Sequence, residues 1–218
     1  MAKQVILPKE SQSGEDTPLK KRLISILPAL TLAYTGVRFR QLQKWQALVM
    51  PPPLHGGIRG RKMSDISTGL QIQVDEAKRT NEHIVGLKLD KAKCFDRLIP
   101  SVTSALFAAL GIPISVITFF LQMYSNLKRY MTYKTWIAEN YTTCANGLVQ
   151  GCSLSLLAIN VHMCIWAIFI ERLPFLQSKI FIDDSYLWAP VAKIKWLQEA
   201  VRLTEQWDLL VGQSPQHT

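Results

Sequence analysis

Two adjacent carboxylates, Asp183 and Asp184, sit inside the apolar and aromatic stretch Lys179 to Ala189, KIFIDDSYLWA. Phe181, Ile182, Tyr186, Leu187 and Trp188 favour strands, while Asp-Asp-Ser is turn chemistry. The stretch therefore reads as a tight β-hairpin with the aspartate pair at its tip. Carboxylates held so close repel, so one must pair, take a proton or bind a cation. Adjacent hard oxygen donors suit Mg²⁺, which keeps several waters and shares itself with substrate phosphates. From these residues alone an ordinary Asp-Asp turn is the favoured reading. A matching carboxylate elsewhere must decide.

A chain of 218 residues allows one large domain or two small ones. With 48% apolar and 19% charged residues it is globular rather than disordered. The net charge of +9 is unevenly placed: residues 1–62 hold eleven Lys/Arg against three Asp/Glu, the remainder fourteen against thirteen. A localised basic region suits a polyanion-binding surface, although a solvated face has the same composition. The four cysteines, Cys94, Cys144, Cys152 and Cys164, show no metal-site spacing and read as reduced core thiols of an intracellular protein. The first twenty residues are polar and charged, unlike a secretory signal. The apolar run Leu154 to Ile170 carries Ser155, Asn160 and His162, which favours a buried helix over a membrane span.

In chain order, Val5 to Lys9 reads as a strand ending on a lysine. A polar loop, Glu10 to Thr17, leads through Lys20-Lys21-Arg22 into a second strand, Leu23 to Leu27. This hairpin presents cations, for phosphate or simply for water. Residues 29–49 read as a helix stopped by Pro51-Pro52-Pro53. His55 to Asp65, HGGIRGRKMSD, combines an adaptable backbone with Arg59, Arg61 and Lys62 and can follow a phosphodiester strand. Ser64 or Asp65 caps a helix running to about Lys78.

Ile84 to Asp90, IVGLKLD, reads as a strand ending on a carboxylate, with a helix from about Pro100. Asp90 is the partner the hairpin requires. Together, the strand end and the hairpin tip can hold two divalent ions roughly 3.5–4 Å apart, as in phosphoryl or nucleotidyl transfer. Between them, Gly147 to Asn160, GLVQGCSLSLLAIN, supplies a glycine turn, the Gln150 amide and an apolar helix.

Three blocks in this order resemble a reverse transcriptase, most nearly the non-LTR (LINE-type) retrotransposon branch. Asp90 to Asp96 resembles D-x-x-K-A-F-D, Gly147 to Ser155 resembles G-x-x-Q-G-C-x-L-S, and Phe181 to Asp184 resembles F/Y-x-D-D. Weaker matches are Ile6 to Lys9, Arg22 to Ser25, Gly57 to Lys62 and the helical stretch around Gly111-Ile112-Pro113. The resemblance covers nearly the whole chain. It implies an α+β fold of right-hand polymerase fingers and palm, with an antiparallel palm sheet packed on helices and the thumb missing. Residues 1–82 would be a fingers-like basic region and 83–218 the palm, with part of 100–140 also joining the fingers.

The same resemblance implies the roles. Asp90 and Asp183 would hold two Mg²⁺ ions, or Mn²⁺, with Asp184 beside them and the Lys91 backbone carbonyl adding a ligand. Phe95 would be the steric gate against a ribose 2′-OH, which favours deoxynucleotides over the ribonucleotides of an RNA-dependent RNA polymerase. Lys9 and Arg22 would grip the triphosphate, Gln150 and Gly151 would line the nucleotide pocket, and Arg59, Arg61 and Lys62 would follow the RNA template opposite a DNA primer. Trp45, Trp136, Trp166 and Trp207 read as packing. Leu23 and Leu156 replace prolines of the family pattern and Cys94 an alanine. Trp207 to Gly212 resembles the start of a lysine-bearing block whose lysine the sequence does not supply. The alternative is a catalytically silent remnant that only binds nucleic acid.

Overall fold

In a computed structural model that describes residues 2–8, 21–91, 93–133, 136–143 and 146–212, the chain opens with strands β1 (Ala2–Pro8) and β2 (Lys21–Ile26). They pair antiparallel from Lys3↔Ile26 to Pro8↔Lys21, as the sequence suggested. Lys9 lies outside the described residues, and of Arg22 only the backbone is described. Helix α1 (Ala29–Val49) ends just before the proline triplet, where the residue ahead of a proline is forced out of the helical region. Helix α2 (Met63–Arg79) begins with the Lys62 amide donating to Asp65 Oδ2 at 2.7 Å.

Strand β3 (Ile84–Leu89) leads into a single helical turn, α3 (Cys94–Arg97), and then α4 (Pro100–Ala109), whose first-turn proline has no helical hydrogen bond to lose. After α5 (Ile114–Ser125) come β4 (Arg129–Tyr133) and β5 (Trp136–Ile137). Helix α6 (Ser153–Ile170), the hairpin β6 (Gln177–Phe181) and β7 (Asp184–Pro190), and helix α7 (Lys195–Leu210) complete the order.

Two sheets result. One runs β2-β1-β4-β5, with β1 and β4 parallel from Ala2↔Arg129 to Val5↔Thr132. It therefore joins β1 and β2 to strands of the 100–140 stretch. The other, β3-β7-β6, is antiparallel throughout and forms the frame for the aspartates.

Helix α6 is apolar on nearly every side because most of it is covered: it packs on α1, α4, α7 and β6, with Ile168 and Phe169 exposed near its end. Leu154, Leu157, Ile159, Cys164 and Ala167 have no exposed surface, and Trp166 and Ile170 are almost as deeply covered. Its length and hydropathy would suit a membrane span, yet most of it is inside the fold. Phe107 and Phe120 meet edge to face at 5.1 Å above it. Cys94, Cys152 and Cys164 are buried thiols, with burial pushing Cys164 up to about 11. Trp136, expected to pack, is instead 60% exposed on the short edge strand β5.

Candidate active site

The register of β6 and β7 decides where the aspartates stand. Phe181 pairs with Asp184, so the two-residue turn is Ile182-Asp183 rather than the aspartate pair itself. Asp184 already belongs to β7. Of the two turn residues only Ile182 has a positive φ, +61°, the sign pattern of a type II′ hairpin. A β-branched residue there is strained, and such strain persists only where surrounding contacts impose it.

Those contacts come from the basic loop. Leu54 bridges Ile180 in parallel, the His55 amide donates to the Ile180 carbonyl at 2.8 Å, and the Ile180 amide donates to Pro53 at 2.8 Å. The chain after the prolines thus lies along β6 as a short extra strand. The Asn160 side-chain amide, buried on α6, donates to the Gly56 carbonyl at 2.9 Å and holds that strand against the turn. Arg61 closes the loop from the other side: its guanidinium donates to the carbonyls of Pro51 and Leu54, both at 2.6 Å, and of Met50 at 3.1 Å. Arg59 and Lys62 are exposed.

Strand β3 brings the third carboxylate. Its ladder with β7 ends at Leu89↔Ser185, so Asp90 emerges next to Asp184 and the turn. Burial pushes the Asp183 carboxyl above the usual range, and the charges of Asp184 and Asp90 push it further; its own backbone hydrogen bond and Lys88 oppose them. Lys88 reaches across from β3 to Asp184 Oδ1 at 2.9 Å and lies 5.7 Å from the Tyr186 ring centroid. Asp184 in turn holds the Lys88 ammonium above its ordinary range, first by hydrogen bonding and then by charge. One end of the sheet therefore gathers three carboxylates with a lysine as their internal counter-ion. As the side chains stand, no group of three His, Cys, Asp or Glu among the described residues is arranged to hold a metal ion.

The glycine loop of the second block docks on α3. The Gly147 amide donates to Leu98 at 2.9 Å and the Leu148 amide to Phe95 at 2.6 Å. Gly147 has φ +91°, and a Cβ there would lie 2.9 Å from the Asp96 carbonyl oxygen, so the approach requires glycine. Buried Arg129 donates to the Gly147 carbonyl at 2.8 Å. Tyr124 accepts from the Val149 amide at 3.0 Å and shares a hydrogen bond with Ser155 at 2.8 Å. The Gln150 amide hydrogen-bonds the Asp96 carboxylate, which burial raises while Lys93, Gln150 and Arg129 pull it back. A Cβ on Gly151 would meet only the Ser25 carbonyl, at 3.8 Å, so the loop passes close to β2. Phe95 is half-buried on α3 with its ring against the core.

Behind Asp90, Lys91 turns inward. Its ammonium pairs with Asp208 of α7, both side chains being 4% exposed, and stands 5.9 Å from the Trp166 ring centroid. Trp166 donates to Thr204 at 3.0 Å, and His162 pairs with Thr103 at 3.0 Å.

No family profile and no curated protein sequence matches the chain. Solved structures do. A telomerase from Candida tropicalis, in its apo form truncated from the C-terminal domain, superposes with a TM-score of 0.65 at 12% identity, covering 90% of this chain and 46% of that one. Telomerase from Candida albicans, in complex with a fragment of telomeric RNA, gives 0.63 at 13% identity, covering 98% of this chain and 40% of that one. The fold is reverse-transcriptase-like. The chain spans less than half the length of these telomerase chains.

Within that reverse-transcriptase-like fold the three sequence blocks meet: the first and third through the β3–β7 ladder, the first and second through α3 and the glycine loop. Arg59, Arg61 and Lys62 share one loop, but the Arg61 guanidinium is engaged by the carbonyls of Met50, Pro51 and Leu54. Sequence reasoning missed Lys88, Arg129, the hold of the Asn160 amide on Gly56, and the Lys91–Asp208 pair. The one signal available was alternation: in IVGLKLD the lysine shares a strand face with Asp90.

Proposed function

We propose that this chain is the fingers and palm of an RNA-directed DNA polymerase of the non-LTR retrotransposon kind, adding deoxynucleotides to a primer 3′ end. The observation that carries the reading is the convergence of Asp90 with Asp183 and Asp184 at one end of the β3-β7-β6 sheet, where their charges already act on one another. Carboxylates on three neighbouring backbone positions are the hard donor set that Mg²⁺ or Mn²⁺ takes. Asp90 and Asp183 would be the principal holders, with Asp184 and the Lys91 carbonyl contributing. Bound there, a pair of ions lowers the pKa of an attacking hydroxyl and neutralises charge on the transferring phosphate.

The remaining residues bind and orient. Asp184 would contribute to holding an ion only once Lys88, its more than half exposed counter-ion, had given way. Gln150 is held by Asp96 and Gly151 runs beside β2, which supports a nucleotide pocket at the glycine loop; gripping the triphosphate is assigned to Arg22 and Lys9 by the resemblance. Phe95, anchored through its carbonyl to Leu148, is the gate against a 2′-OH. Arg59 and Lys62, both exposed, would follow a template backbone, through contacts that position without reading sequence.

Mg²⁺- or Mn²⁺-dependent extension of a DNA primer on an RNA template, abolished by Asp183→Asn, is the expected result. Incorporation that survives Asp183→Asn overturns the reading. The second reading, binding without chemistry, is favoured by the Lys88 ammonium already seated on Asp184, where it competes with a divalent ion. It predicts salt-sensitive RNA binding with no incorporation under any divalent ion.

A further inference from the structure

We propose that Lys91 and Asp208 are a positioning pair: α7, through Asp208, fixes the register and direction of the strand end that presents Asp90. The inference rests on the reading of Asp90 as an ion-holding residue.

Three observations carry it. Lys91 directly follows Asp90, and consecutive side chains of an extended segment point to opposite faces. Here Asp90 is exposed and Lys91 is 6% exposed, so seating the lysine inward directs the aspartate outward. Next, the partner is remote. Asp208 comes from a helix 117 residues later in sequence, and only 4% of either side chain is exposed. Asp208 and Thr204 lie one helical turn apart on one face of α7. Thr204 is tied to Trp166 of α6 at 3.0 Å, so the anchor is itself held by the core helix.

The third is the cost of the alternative. A one-residue slip of an extended segment exchanges its inward and outward side chains. A slip that carried Asp90 into the place of Lys91 would bring its carboxylate against Asp208 in a buried site, and the opposite slip would put Lys91 among the hairpin carboxylates. Two buried like charges are strongly unfavourable, so the pair excludes the register that would dismantle the site. A buried ion pair is poor evidence of stability, and its best-attested use is in specifying one arrangement over another.

The test is Mn²⁺ binding to the full chain, followed by electron paramagnetic resonance of the free ion, with Asp183→Asn defining the site-specific part. Two variants are compared with the native chain: Asp208→Asn, and the apolar pair Lys91→Met with Asp208→Leu, which fills the same space. Each should weaken site-specific Mn²⁺ binding by about tenfold or more, the effect typical of lost outer-shell support. For the apolar pair this loss should occur although its melting temperature is at or above that of the native chain. An apolar pair that melts normally and binds Mn²⁺ as the native chain does overturns the positioning role and leaves the polymerase reading standing. A native chain with no Asp183-dependent Mn²⁺ binding overturns the polymerase reading and the inference with it.

Discussion

A Cβ built on Gly56 would lie 2.4 Å from Ile182 Cγ1 and 2.5 Å from the Ile182 amide nitrogen. The basic loop and the aspartate hairpin are therefore in backbone contact, and the strained turn residue is the one being touched. Gly56→Ala must move one of the two. It should cost about 1–3 kcal/mol in chemical denaturation, the range for overpacking. Gly36, in the middle of α1 with nothing within 4 Å of its notional Cβ, is the control. Gly36→Ala should stabilise by roughly 0.5–1 kcal/mol, because glycine gives up more backbone freedom than alanine in a helix.

Arg59 and Arg61 are two residues apart yet have different work. Arg59→Ala should leave the melting temperature unchanged and lower RNA affinity, with a shallower dependence on salt concentration. Arg61→Lys keeps the charge but cannot reproduce a guanidinium held by three carbonyls. It should destabilise the chain by about 1–3 kcal/mol while the salt slope stays near native. Equal salt slopes for both variants would contradict this division.

His162 is buried beside Lys91, and burial, with a smaller contribution from that lysine, lowers its pKa from 6.5 to about 4. The Thr103 hydroxyl donates to the Ile99 carbonyl, so it accepts from His162 Nε2–H; Nδ1 is buried with no hydrogen-bond partner among the described residues. The unfolded chain takes a proton near 6.5 and the folded chain does not until about 4. Stability therefore falls as pH drops through that window, because the unfolded state binds more protons there. The difference between the native chain and His162→Gln in urea denaturation should shift by about 2 kcal/mol between pH of roughly 7.5 and 5. A pH-independent difference would show that His162 is accessible to protons.

Phe95 lies half-buried on α3, with its carbonyl receiving the Leu148 amide. Removing the ring leaves that backbone anchor in place. Phe95→Ala should admit ribonucleotides at a rate approaching that for deoxynucleotides in a primer-extension assay. Unchanged discrimination removes the gate from this position.

Much of the frame was legible because local signals agreed. Helix α1 ends where the proline triplet requires, α4 begins on Pro100, and the β1–β2 and β6–β7 hairpins follow their alternation and polar turns. The turn itself sits one residue earlier than the sequence suggests. Asp-Asp-Ser is stronger turn chemistry than Ile-Asp, and only the packing of Gly56 on Ile182 explains the strained choice. The parallel pairing of β1 with β4 was invisible, since no short-range pattern joins Val5 to Thr132. Arg61 and Lys91 carry no sequence sign of their surroundings, which turn them inward, one onto backbone carbonyls and the other onto Asp208.

The claim that Asp90 and Asp183 jointly hold divalent ions is tested most directly by a double-mutant cycle on Mn²⁺ affinity. Asp90→Asn, Asp183→Asn and the combined variant are measured against the native chain. Residues that share an ion are strongly coupled, so the account predicts that the second substitution adds little to the loss caused by the first. Losses that simply add, or an Asp90→Asn variant that binds Mn²⁺ like the native chain, would contradict it.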